Sequence, residues 1–128
     1  MSGPTGFPFE EIHFTECRFA APEWRGSELV VAARSLYLCG DHPLSDERRP
    51  RSGLLVFGDV ARSTRTVYEY SGDPAAPFRP SYVVEDGGTH EDGGDLEEYR
   101  FGGVLEEPHA WIEWTIRARR FDLELGVI

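Results

Sequence analysis

The chain has 128 residues, 23 acids against 13 bases, and a formal charge of −10. That length is one ordinary domain, residues 1–128, with 40% apolar residues, too many for a disordered chain. The acidity argues against binding a nucleic-acid backbone or an anionic membrane, both of which need cationic surface, and no apolar run is long enough for a membrane helix.

Residue types that are absent narrow the chemistry further. There is no Lys, Asn or Gln, and all the bases are Arg. A phosphate-loop lysine, a Schiff base, an N-glycan acceptor and amide readout of adenine are therefore excluded. With Gly, Ala, Arg and Pro abundant, the composition reads as that of a GC-rich, bacterial genome. Met1–Gly6 carries no basic segment and no apolar stretch of a signal peptide, so the expected compartment is the cytoplasm. Two cysteines, Cys17 and Cys39, are too few for a disulfide scaffold and are expected to be small, buried, reduced thiols.

Residues 1–8 read as a flexible N-terminus. From there the dominant period is two, the signature of half-buried strands. Ile12 and Phe14 share one face, and Cys17 and Phe19 fall in the opposite phase, which predicts a bulge near Thr15–Glu16. Pro22–Gly26 reads as a turn. Residues 28–39 form a second strand, or two broken near Arg34–Ser35. Residues 40–52, with Pro43, Pro50 and three arginines, read as a long loop in which Ser45 caps one helical turn.

Strands follow at 54–57 and 64–70, separated by a turn or bulge at Gly58–Asp59. Residues 71–80 hold three prolines and cannot be regular structure; 81–84 is a short strand. Residues 86–95 form an acidic, Gly-rich loop without an apolar side chain, expected to stay solvated and outside the core. Asp95 and Glu98 have the spacing of a helix capping box, but Tyr99 and Phe101 alternate as in a strand, and strand is the reading adopted. Ala110, Ile112, Trp114, Ile116 and Ala118 alternate with polar residues, and Phe121, Leu123 and Leu125 continue in the other phase, with a turn or bulge at Arg119–Arg120. The expected fold is all-β: a single-domain antiparallel sandwich or barrel of about seven to eight strands with at most short helical turns.

Charge is concentrated. Residues 85–107 hold nine acids and one base, Arg100. Asp86, Glu91, Asp92 and Asp95 offer hard oxygen ligands, but their spacing fits no calcium-loop pattern, and no metal or cofactor is expected. His90–Glu91 begins like a zinc-protease helix but lacks the second His. Glu69, Glu98 and Glu113 lie on strands, where alternating charge marks the wet face. No catalytic residue is assigned. Trp111 falls out of phase with the core residues and is expected to point outward beside Glu113 and Arg117 as a partner anchor, with Glu91, Asp92, Glu97 and Glu98 steering a basic protein. The first expectation is thus a non-catalytic acidic protein-binding domain, comparable by analogy to bacterial immunity proteins. The rivals are a small β-barrel that holds a ligand or runs acid/base hydrolysis, and an oligomeric domain, such as a homodimer, whose sheet edges pair.

Overall fold

A computed structural model describes residues 5–14, 16–91, 93–106 and 109–125. After one 3-10 turn (Phe9–Glu11) come eight strands: β1 (Ile12–His13), β2 (Arg18–Phe19), β3 (Glu23–Arg25), β4 (Glu28–Leu38), β5 (Asp46–Glu69), β6 (Tyr82–Gly87), β7 (Glu97–Leu105) and β8 (Ala110–Leu125). They form one sheet in the order β1-β4-β2-β7-β8-β5-β6, with β3 also on β4 and β4 also on β5. The pairings return from β5 to β4, so the all-β domain is a ring-like sheet rather than a barrel. One side of the ring closes only through the two residues of β2, which leaves no continuous ladder there. The expected antiparallel pattern holds except at this point, where β2 runs parallel to β7.

Period two becomes burial directly. On β8, Ala110, Ile112, Trp114, Ile116 and Ala118 are buried, as are Tyr99, Phe101 and Leu105 on β7. Leu29, Val31, Ala33, Leu36 and Leu38 of β4 and Leu55, Phe57, Val60 and Val67 of β5 complete the walls. Phe101 is the hub of the aromatic core: its ring stacks on Trp114 at 5.3 Å, Phe14 at 5.3 Å and Phe57 at 5.8 Å. Offset and edge-on rings of this kind add to the burial energy. Cys17 and Cys39 are free and buried, and burial pushes the Cys17 thiol up to about 12.

The irregularities have physical causes. The expected break at Arg34–Ser35 is a register shift within one strand, with Ser35 at a φ of 62°. Gly58–Asp59 and Arg119–Arg120, read as separate interruptions, are the two sides of one kink: Gly58 pairs with Arg120, and the buried positions change parity on both strands together. Asp59 takes a φ of 54°, and a Cβ on Gly58 would lie 2.4 Å from the Arg120 guanidinium. A second shift between Val60 and Arg62 follows at once.

Several expectations are corrected. Residues 5–8, read as flexible, are docked on the core: Phe7 is buried and the Thr5 N–H donates to the Leu123 carbonyl at 3.2 Å. Pro22–Gly26, read as a turn, holds the short strand β3. Residues 46–52 are the first part of β5 rather than loop; Pro50 is tolerated because β4 pairs there only at Asp46 and Arg51. Ser45 caps no helix and donates its hydroxyl to the Cys39 carbonyl at 2.6 Å. The acidic loop also begins later than expected, because β6 runs to Gly87 and carries Asp86 into the interior. The loop is tied down: Thr89 and His90 both donate backbone N–H groups to the Val60 carbonyl, at 2.7 and 3.1 Å. A Cβ on Gly88 would meet the Ala61 carbonyl at 2.0 Å, so the chain passes too close for a side chain. Excising residues 87–94 should therefore destabilise the domain by about 1–3 kcal/mol, the cost of leaving such backbone groups unmatched. A thermal midpoint unchanged from the intact chain would show that the docked loop contributes nothing.

Candidate binding face

Since the core side chains leave one side of β7, β8 and β5, the alternate residues form an outer face in register. Its rows are Val104–Trp111–Tyr68, Gly102–Glu113–Thr66, Arg100–Thr115–Thr64 and Glu98–Arg117–Arg62. The first row is aromatic. A Cβ on Gly102 would lie 3.3 Å from Trp111 Cζ2, so the missing side chain makes room for the indole. A shallow groove of about 450 Å³ opens there, lined by Arg100, Gly102, Trp111, Glu113 and Thr115 among others. The Tyr68 hydroxyl donates to Glu113 Oε2 at 3.5 Å.

The aromatic surface continues past Tyr68. Phe78 lies 6.1 Å from Tyr68 and 5.0 Å from Tyr70, whose ring is 4.6 Å from His109. Beside them a second shallow groove of about 380 Å³ is lined by Tyr70, Asp73, Pro74, Pro77 and His109. The proline-rich segment that walls it is held by its own polar groups. The Ser71 hydroxyl donates to the Ala76 carbonyl, and Asp73 Oδ1 accepts the Ala75 N–H at 2.9 Å.

The other end of the face is charged. Arg100 pairs with Glu98 at 2.7 Å and Arg62 with Glu85 at 3.2 Å, and Arg117 Nη2 donates to the Gly93 carbonyl at 3.5 Å. Trp111 and Glu98 thus share the outer face, but six positions along the strands, roughly 20 Å, separate them. Glu97 points to the opposite side, beside Tyr99. Burial first, and then the Glu97 carboxylate, push that phenol up to about 12. Glu91 is exposed in the loop after His90, and Asp92 lies outside the described residues. Glu113 is the carboxylate that actually adjoins Trp111. The sequence signal was its two-residue spacing from Trp111, which puts both on one face.

Behind this face lies a buried polar network. Trp114 Nε1 donates to Ser63 Oγ at 2.8 Å, and Ser63 Oγ donates to Asp86 Oδ2 at 2.7 Å. Arg65 grips the same carboxylate through Nε at 3.1 Å and Nη2 at 2.7 Å, with its guanidinium 5.2 Å from the Trp114 ring centroid. The Trp24 indole donates to the Asp86 carbonyl at 3.2 Å, which draws β3 onto the end of β6. Among the described residues no buried side-chain polar atom lacks a partner.

Two constellations that resemble chemistry have other uses. Thr89 Oγ1 and Asp59 flank His90, at 3.0 Å from Nδ1 and 3.4 Å from Nε2, like a hydroxyl–imidazole–carboxylate relay. Asp59 is also held by Arg120 at 2.7 Å and Arg119 at 3.5 Å, so the group clasps the loop to the kink. The acids weighed for calcium diverge: Asp86 faces Arg65, and Asp95 faces Arg119 at 3.1 Å. Among the described residues no three His, Cys, Asp or Glu side chains gather as metal ligands. No protein-family model, curated protein or solved structure matches this chain.

Replacing Asp86 with Ala strands the Arg65 charge and should cost about 3–5 kcal/mol in urea unfolding. Ser63→Ala, which removes one neutral link, should cost about 1–3 kcal/mol. Equal, small effects for both would mean that the network is not a unit.

Proposed function

We propose that this chain is a non-catalytic protein-binding domain that receives a basic partner on the outer face of β5, β7 and β8. The observation that carries the reading is Trp111: an outward indole set against a groove at Gly102, with Glu113 beside it in the next row. Aromatic anchors of this kind, ringed by polar groups, supply most of the affinity of many interfaces. The charge of −10 favours a cationic protein and draws it in from a distance. Neutralisation of a basic toxin, by analogy with immunity proteins, is the biological setting that fits this profile. A reducing compartment, the cytoplasm, suits two free buried thiols, and among the described residues no helix is long and apolar enough to cross a membrane. The rival reading of a ligand held inside a barrel is less well supported, because aromatic side chains fill the ring.

The test begins with a basic protein recovered at low salt, identified, and then measured against purified variants. Trp111→Ala should accelerate dissociation by roughly 10- to 100-fold, equivalent to about 1.4–2.8 kcal/mol. Glu98→Arg should slow association and flatten its salt dependence while leaving dissociation nearly unchanged. Circular dichroism of each variant checks that the fold is intact. A folded Trp111→Ala protein that binds as well as the native chain would overturn the assignment of this face.

A further inference from the structure

β6 lies at the end of the sheet and pairs with β5 alone among the described strands. The directions of its backbone groups follow from its neighbours. The Tyr70 N–H donates to the His109 carbonyl at 3.3 Å, so Tyr70 and, by alternation, Tyr68, Thr66 and Thr64 direct their backbone groups toward β8. Glu69, Val67 and Arg65 direct theirs toward β6, and the Arg79 N–H on the Glu69 carbonyl at 2.8 Å agrees. Their register partners Tyr82 and Val84 therefore bond to β5. Val83 and Glu85 present N–H and C=O groups outward, to none of the described strands.

The same stretch carries exposed apolar side chains. Among the described residues four large apolar side chains are exposed, and three of them lie between residues 78 and 83: Phe78 at 44%, Tyr82 at 40% and Val83 at 59%. Sheet edges are ordinarily blunted by unpaired charge, proline or a bulge. Here Pro80 stands before the strand, and the Trp24 indole already occupies the Asp86 carbonyl. Between these stops the edge is open, and its two carboxylates are compensated locally, Glu85 by Arg62 at 3.2 Å and Asp86 by Arg65 at 2.7 Å.

We infer that β6 is a homodimer edge, with a second copy of this chain added antiparallel about a two-fold axis through Val83. In that register the Val83 N–H and C=O meet those of Val83 in the other copy, and Glu85 lies opposite Ser81. Val83 packs on its own counterpart on the outer face, while Tyr82 packs on Val84 of the other copy on the opposite side. Two-fold pairing needs a self-complementary edge, and a short segment with an apolar centre and neutralised charges has that property. This association differs from basic-partner binding in its salt response. Two copies at −10 repel each other, so added salt strengthens the dimer, whereas salt weakens attraction to a cationic protein.

Sedimentation velocity at physiological salt, up to about 100 μM, should show a species of twice the 14.4 kDa chain mass, favoured further by higher salt. Val83→Pro removes only an outward N–H, so it should give a monomer with an unchanged urea midpoint. Val83→Glu, which keeps the backbone intact and sets two like charges face to face on the axis, should also give a monomer and serves if the proline variant does not fold. A native chain that sediments as 14.4 kDa throughout, or a dimer that survives Val83→Glu, overturns the proposal. Either result leaves the Trp111 reading standing, because that face is tested with a different partner and the opposite salt response.

Discussion

The ladder between β5 and β8 sets the architecture. β5 is 24 residues long and cannot lie flat in a domain of this size, so it must turn while keeping its pairing. It does so at Gly58–Asp59, opposite Arg119–Arg120, where the buried parity of both strands changes together. On one side of that kink β5 pairs with β4 and closes the ring. On the other it carries β6 and the outer face. A side chain at Gly58 would collide with Arg120, and Asp59 holds a left-handed φ while gathering Arg119, Arg120 and His90 around its carboxylate. The strain of a non-glycine residue in that region, of order 1–3 kcal/mol, is offset by those ion pairs and by the ladder on either side.

Much of this was legible in the sequence because a strand with one buried face writes its pattern every second residue. The alternation in residues 110–118 located the core face of β8 and the outward setting of Trp111, and an interruption was visible on each side of the kink, as a phase change at Arg119–Arg120 and a turn or bulge signal at Gly58–Asp59. That the two changes lie opposite each other was not, since local pattern holds no information on pairing between residues 60 positions apart. β1 and β2 have two residues each, too few to show a period, so the parallel β2–β7 pair that closes the ring left no trace. The arginine- and proline-bearing start of β5 looked like loop because strand propensity fails where one neighbour is only intermittently paired.

Asp86 shows the opposite error, in which composition concealed a role. Within a run of Asp, Glu and Gly it looked like one more solvated acid, yet it is the centre of the Trp114–Ser63–Asp86–Arg65 network. The partners that bury it, Ser63 and Arg65, lie more than twenty residues earlier and reach it only through β5–β6 register. Likewise Glu97 and Glu98 are neighbours in sequence but, by the pleat, face opposite sides of β7. Of the four acids grouped by sequence into one steering patch, the three described are therefore distributed: Glu98 on the outer face, Glu97 beside Tyr99 and Glu91 in the loop.

The two proposed association modes are geometrically linked. Val83 pairs with Thr66, so the row Gly102–Glu113–Thr66 of the outer face continues onto β6. A strand pairing across the two-fold would carry that row into the second copy without a break. Two Trp111 side chains would then stand on one sheet, five strand spacings across and four residues along, roughly 28 Å apart. A partner with two basic segments at that separation would bind both at once, and its second contact would form at the high effective concentration of a tethered site. The acidic charge, which alone would keep copies apart, would thus favour the proposed pairing in the presence of a cationic partner: the partner would neutralise the repulsion that opposes the dimer, and the dimer would supply the partner with a second anchor.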